Sequence, residues 1–130
     1  MPTESQSDRF PSLRTIAMPA DANPSGDIFG GWIMSQMDLA GAIYASYAVK
    51  GRLVTVAVES MTFHKPVLVG DQVSCYCQTT RVGRTSISVH IETWVRRKHS
   101  NEENSKVTEA TYTYVSIDGN RQPIPVELIT

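Results

Sequence analysis

The chain offers little that would stabilise it covalently or send it to a membrane. Only two cysteines occur in 130 residues, Cys75 and Cys77. They stand two apart in a strand-like segment, where both side chains face the same way. That is too sparse for a disulfide scaffold, and no other cysteine or nearby histidine completes a zinc set. They read as reduced, packed thiols, which suits a cytoplasmic protein. No apolar run approaches the roughly 18 residues needed to span a bilayer. The polar stretch Met1 to Pro11 lacks the apolar core of a signal peptide. A net charge of −1 argues against electrostatically driven binding to nucleic acid or a membrane surface. His64, His90 and His99 are scattered without metal spacing, and there is no internal repeat or low-complexity tract.

What remains is a soluble-type composition, 41% hydrophobic and 19% charged, in a length that holds one core and not two. Residues 1–12 read as a flexible N-terminal tail, 13–118 as the domain and 119–130 as a C-terminal tail. Leu13 to Met18 is a short strand stopped by Pro19, and a loop rich in Asp, Asn, Pro and Gly follows to Asp27. From Gly30 to about Val49, Ile33, Met37, Ala40, Tyr44 and Tyr47 recur at helical spacing, with Gly51 placed as a C-cap. Period two then takes over. Leu53 to Val67 reads as a long strand broken near Pro66, and Gln72 to Val82 as the next. Arg84 to Lys98 puts Ile87, Val89, Ile91 and Val95 on one face and Ser86, Ser88, His90 and Glu92 on the other. Lys106 to Ile117 is the last strand, after a polar tip from Lys98 to Ser105. The expected class is α+β: one long helix covering a sheet of four or five antiparallel strands. The helix is apolar over most of its circumference, so either the sheet wraps it or a second subunit helps cover it.

Asp38 is the residue that this pattern does not explain. Its helical neighbours Met34, Ser35, Gly41 and Ala42 include no base. A carboxylate on such a face either pairs with a strand Arg or Lys, or serves as general base or nucleophile. Gly30-Gly31 opens the same helix. Its free N–H groups could hold an oxyanion, with no Cβ to keep a ligand away, or could form a plain tight turn. Asp38 lies about 10 Å further along the axis. A carbonyl held at Gly31 would therefore meet the Asp38 of another subunit. Asn23 precedes a proline and suits either a loop brace or an amide that orients water or substrate. Gly83, Arg84, Thr85 and Ser86 join two strands with two hydroxyls, a guanidinium and exposed N–H groups, which suits a phosphate or pantetheine-like chain, or an ordinary polar hairpin. The basic run Arg96, Arg97, Lys98, His99 could meet a nucleotide phosphate or be a solvated face. Glu59, within an apolar strand, reads as half of a buried ion pair.

The run from Asn23 to Gly41 resembles the signature of the hotdog-fold acyl-CoA thioesterases. It is most similar to the YciA-type bacterial enzymes, and the likeness extends to the cytosolic brain-type acyl-CoA hydrolases. Val54 to Met61, Phe63, Lys65-Pro66, Val69-Gly70-Asp71 and Val82 to Ser86 continue the resemblance in the same order, over roughly Leu13 to Ile117. It implies a hotdog fold, a long central helix wrapped by a curved antiparallel sheet of about five strands. It further implies dimers with continuous sheets that assemble as trimers of dimers, a homohexamer. The implied activity is hydrolysis of fatty acyl-CoA to free acid and CoA without metal or cofactor, CoA being part of the substrate and product. Asp38 then matches the catalytic carboxylate, Asn23 its partner amide and Gly31 the oxyanion donor, in a site shared between protomers. Gly83, Arg84, Thr85 and Ser86 match the coenzyme-contacting hairpin. The alternative is a non-catalytic hotdog module that binds acyl-CoA as a sensor, although such a module would be expected to lack the carboxylate. A dehydratase on this fold would want a His paired with Asp near the helix, and no His precedes Asp38.

Overall fold

One helix lies in the curl of a five-stranded antiparallel sheet, the wrapped arrangement expected from the sequence. The computed structural model describes residues 9–103 and 105–129. Its strands are β1 (Leu13–Ile16), β2 (Arg52–Glu59), β3 (Gln72–Val82), β4 (Ser86–Arg96) and β5 (Ser105–Ile117), and its helix is α1 (Gly30–Ala48). The sheet order is β1-β3-β4-β5-β2. Both edges are thus the strands flanking the helix in sequence, and β2 keeps one side free of any described strand.

Alternation in β4 is strict. Ile87, Val89, Ile91 and Val95 are buried against the helix, and the opposite face is half-buried, as the period-two pattern predicted. That outer face holds polar pairs such as Ser88 with Thr113 and His90 with Glu109. On the helix, Ile33, Met37, Ala40, Gly41 and Ala45 form the stripe that sinks into the sheet. Burying a side chain the size of Met37 or Ile33 contributes about 1.5–3 kcal/mol each, so this stripe fixes α1 on the sheet. Cys75 is buried and Cys77 partly so, and both are free thiols. Burial pushes Cys75 up to about 12 and Cys77 to about 11.

Two boundaries and one expected ion pair differ from the sequence reading. β2 stops at Glu59, well before Pro66, because Ser60 turns into the left-handed region at φ 53°. Beyond it His64 N donates to Val107 O and Thr108 Oγ1 to Thr62 O, so the segment lies against the start of β5 without joining the sheet. Glu59 is exposed on the edge strand and forms no ion pair among the described residues, contrary to the buried pair expected. Gly51, at φ 83°, serves the turn into β2, while extended Val49 caps the helix.

Residues 1–8 of the expected N-terminal tail lie outside the described residues, as does Thr130. Arg9 stacks 4.7 Å over the Tyr76 ring, and Ser12 N donates to Cys75 O. Residues 122–129 are tied down as well. Ile124 N donates to Ser116 O, Val126 N to Arg84 O and Ile129 N to Ala48 O, which straps the end of the chain across β5, the β3–β4 hairpin and the end of α1.

Candidate active site

Asp38 is half-buried on α1, and no cation approaches it among the described residues. Its partners are two hydroxyls from the sheet. Thr55 Oγ1 donates to Oδ1 at 2.7 Å, and Tyr114 Oη sits 3.2 Å from the same oxygen and 3.0 Å from the Asp38 carbonyl. Thr55 and Tyr114 are direct register partners across β2 and β5. Side chains on the same face of such a pair lie about 5 Å apart, close enough to grip one carboxyl oxygen together. The register slips immediately after Thr55, so a bulge at Val56 re-aims the edge strand beside this contact. No described residue donates to Oδ2. Burial and the neighbouring Asp38 charge push the Tyr114 hydroxyl well above the usual phenol range, so it stays protonated and a donor. Neither Thr55 nor Tyr114 was foreseen. The register between β2 and β5 brings them there, and a single sequence does not print it.

The start of α1 leaves backbone donors free among the described residues. Phe29 caps the helix with no side-chain bond, and Trp32 N and Ile33 N already donate to Phe29 O. Gly30 N and Gly31 N have no acceptor among the described residues. The Phe63 ring lies where a Cβ on Gly30 would come within 3.4 Å, but nothing stands within 4 Å of one on Gly31. Gly31 is therefore the open approach to the positive end of the helix.

Asn23 sits in the loop before that helix and braces it. Its Oδ1 accepts from Ser25 N at 2.9 Å and Asp27 N at 3.1 Å, the Asx-turn role. The Nδ2 donors are taken by no described residue. Within one chain Asn23 and Gly31 belong to the helix start and Asp38 to its middle, and the fold does not bring the three together.

The hairpin is a second cluster at the same end of the sheet as Asp38. Ile87, just after Ser86, pairs with Tyr114, which pairs in turn with Thr55. Gly83 N donates to Ser86 O, and the carbonyls of Arg84 and Thr85 accept from Val126 and Ser116. Gly83 thus has no free N–H to offer. The Arg84 guanidinium and the Thr85 and Ser86 hydroxyls bond no described residue.

Other candidates are absorbed by the fold. Arg97 Nη1 lies 2.5 Å from buried Asp71, and Arg96 bonds Ser100 O and Gln72, so these two arginines brace the β4–β5 loop. Met37 is fully buried in the core. Tyr44, bonded to Thr79, helps line a cleft of about 570 Å³ with Phe10, Pro11, Ile43 and Tyr47, away from Asp38. No group of three metal-binding side chains occurs among the described residues, and no described helix is long and apolar enough to cross a membrane.

Comparison with known proteins gives the site a context. A sequence model of the thioesterase superfamily matches residues 25–99. The acyl-CoA thioester hydrolase YciA of Salmonella typhimurium is 54% identical over 119 residues, which cover 88% of this chain and 90% of that protein. The hexameric thioesterase of Yersinia pestis superposes with a TM-score of 0.85 at 46% identity, covering 98% of both chains. A hexameric hotdog fold thioesterase of Campylobacter jejuni superposes with a TM-score of 0.81 at 45% identity, covering 90% of both.

Proposed function

The chain belongs to the thioesterase superfamily, beside the YciA-type acyl-CoA thioester hydrolases, and from that premise we propose that it hydrolyses acyl-CoA to a free acid and CoA. The observation that carries the reading is Asp38, a carboxylate gripped through one oxygen by neutral hydroxyls, with no described donor on the other. As general base, Oδ2 takes a proton from water while the water oxygen attacks the thioester carbon. The carbonyl π electrons move to oxygen, and the Gly31 N–H stabilises that oxyanion. Collapse restores the carbonyl and expels the CoA thiolate, which takes the proton back from the Asp38 carboxyl and so regenerates the base. As nucleophile, Oδ2 would instead attack the thioester carbon and expel the CoA thiolate, forming an anhydride. Its opening by water releases the acid and the Asp38 carboxylate and supplies the thiolate's proton. Both routes need the same free oxygen and no metal or redox cofactor. The Asn23 amide orients the water or the substrate carbonyl.

The oxyanion donor comes from a second copy of the chain. About 10 Å of helix separates Gly31 from its own Asp38. Supporting this, β2 is an open edge with Val56 and Val58 exposed, and Leu39, Ile43 and Tyr47 of α1 are exposed too. Large apolar side chains grouped at an unpaired edge mark an association surface. A homodimer with a continuous sheet would cover them, and trimers of such dimers would match the hexameric relatives. Arg84, Thr85 and Ser86 are assigned to the CoA moiety, and a cytoplasmic location suits that substrate.

The test is a panel of acyl-CoAs from acetyl to stearoyl with CoA release recorded, run on the parent and on Asp38→Asn. The parent is expected to turn over several members, and Asp38→Asn to lose at least about 100-fold in kcat. Binding of acyl-CoA without hydrolysis anywhere in the panel would make the protein a sensor, and hydrolysis by Asp38→Asn at the parent rate would dismiss the mechanism.

A further inference from the structure

We propose that Tyr114 is a positioning residue for the reaction, holding the Asp38 carboxylate through Oδ1 so that Oδ2 faces the substrate, and that Gly41 is glycine to let it do so. The inference rests on Asp38 being the reactive carboxylate.

Two tyrosines on β5 reach the helix from the same strand face. Tyr112 Oη donates to Met34 O at 2.8 Å, and Tyr114 Oη to Asp38 O at 3.0 Å. Two residues of strand advance about 6.6–6.8 Å and one turn of helix about 5.4 Å. The two hydroxyls therefore step up α1 in near register with carbonyls four residues apart. Each of these carbonyls has a second lone pair to give, so the helix keeps its own hydrogen bonds.

The pair differs in one respect. The Tyr114 proton is shared between Asp38 O and Asp38 Oδ1, whereas Tyr112 bonds only a main-chain oxygen. Both rings are buried to 1% exposure, so neither hydroxyl has water as an alternative partner. Thr55 closes on Oδ1 from the edge strand and Tyr114 from the adjacent strand inside the sheet. Oδ1 is thus fixed from two strands, and rotation about the Asp38 carboxyl is blocked.

Gly41 is the independent observation. A Cβ there would lie 2.1 Å from Tyr114 Oη, 2.8 Å from Ile91 Cδ1 and 2.9 Å from Tyr114 Cζ. Any other residue at position 41 would drive the hydroxyl off Asp38. Sequence and structure agree here on an arrangement that costs helix propensity and brings a phenol to a carboxylate.

Tyr112→Phe is the matched control for Tyr114→Phe. Each removes one buried hydroxyl bonded to a helix carbonyl, so their effects on thermal stability should be similar. Only Tyr114→Phe is expected to lower kcat, by about 10- to 100-fold, the range for losing a hydrogen bond to a charged group. KM should change less than kcat, because Tyr114 is 1% exposed and reaches the reaction through Asp38. Tyr112→Phe should leave both kcat and KM near the parent values, because its hydroxyl bonds only the Met34 carbonyl. Tyr114, Thr55 and the more distant Tyr112 are the polar groups that face Asp38 from the sheet. Equal kcat losses in the two variants, or a parent kcat in Tyr114→Phe, would overturn the proposal. If Tyr114→Phe does not fold, 3-fluorotyrosine at 114 preserves the packing and strengthens the donor. It should change kcat more than KM while leaving the thermal midpoint near the parent value, and an unchanged kcat counts against the proposal. An active Asp38→Asn would instead mark failure of the catalytic reading itself.

Discussion

Substituting Gly41 by Ala sets two known effects against each other. In an open helix interior the change stabilises by about 1 kcal/mol. Here the new methyl meets Tyr114 Oη at 2.1 Å and Ile91 Cδ1 at 2.8 Å, where ordinary contact begins near 3.4 Å. Neither neighbour has room to yield, since Tyr114 is 1% exposed and Ile91 fully buried. Relief demands that the helix or the tyrosine shift by more than an ångström. Overpacking of this kind costs about 1–3 kcal/mol, and freeing Tyr114 from Asp38 adds about 1 kcal/mol. The contact term wins, and the net expectation is destabilisation by about 1–3 kcal/mol. Urea titration of parent and variant at one protein concentration checks it, with an unchanged m value showing that the midpoint shift is a stability change. In a Tyr114→Phe background the closest contact disappears, so the same Gly41→Ala change should cost measurably less. Gly31→Ala, where a Cβ meets nothing within 4 Å, should shift stability by no more than about 0.5 kcal/mol. A Gly41→Ala protein as stable as the parent would refute the argument, and with it the claim that this glycine exists for close approach.

Thr55→Val removes the 2.7 Å donor to Asp38 from a strand that is exposed in the single chain. It should lower kcat about tenfold with little change in the thermal midpoint, and a parent kcat would show that Thr55 is a bystander. The two thiols, raised to about 12 and about 11 by burial, should resist disulfide reagents at pH 8 in the native protein and react once it is unfolded in guanidinium. Rapid native labelling would contradict their placement. The Lys106–Glu109 pair, 2.6 Å apart, raises the lysine and lowers the carboxylate chiefly through their mutual hydrogen bond. Its small stabilisation, a few tenths of a kcal/mol after solvent screening, is present between the two values. It is lost as pH falls through the lowered Glu109 value or rises through the raised Lys106 value. Lys106→Met should therefore lower the thermal midpoint slightly at neutral pH and not at pH 2, and an equal loss at both would refute the assignment.

Periodicity made the scaffold legible. The helix from Gly30 and the inward face Ile87, Val89, Ile91, Val95 could be read because 3.6 and 2 are distinguishable periods in strings this long. The end of β2 was not legible, since Met61 to Val67 carries the same apolar character as the strand before it and only Ser60 breaks the backbone. Asp38 stood out for want of a local base, and Gly31 as the second residue of a glycine pair. Their surroundings did not stand out. Thr55 and Tyr114 reach Asp38 through a register between strands some 60 residues apart in sequence. Nor did Arg96 and Arg97 read as structural, because their partners Gln72 and Asp71 lie across a strand pair.

The missing cation at Asp38 acquires a reason once its partners are hydroxyls. A guanidinium beside a carboxylate lowers its proton affinity by one to three pKa units and weakens it as a base. Hydroxyls fix the oxygen without supplying a countercharge. Under the proposed function the other half of the chemistry is supplied by another chain, since about 10 Å of helix separates Gly31 from its own Asp38. Mixing two disabled chains tests this. Asn23→Asp keeps an oxygen to accept from Ser25 and Asp27 but loses the amide donors, so its loop should survive. If each site takes Asp38 from one protomer and Asn23 from its partner, a dimer of one Asp38→Asn chain and one Asn23→Asp chain has one site with both residues intact and one with neither. Random co-assembly in equal amounts makes half the dimers mixed, so about a quarter of the parent activity should return from two inactive proteins. A site contained within one chain returns none at any mixing ratio, because no chain in the mixture carries both residues.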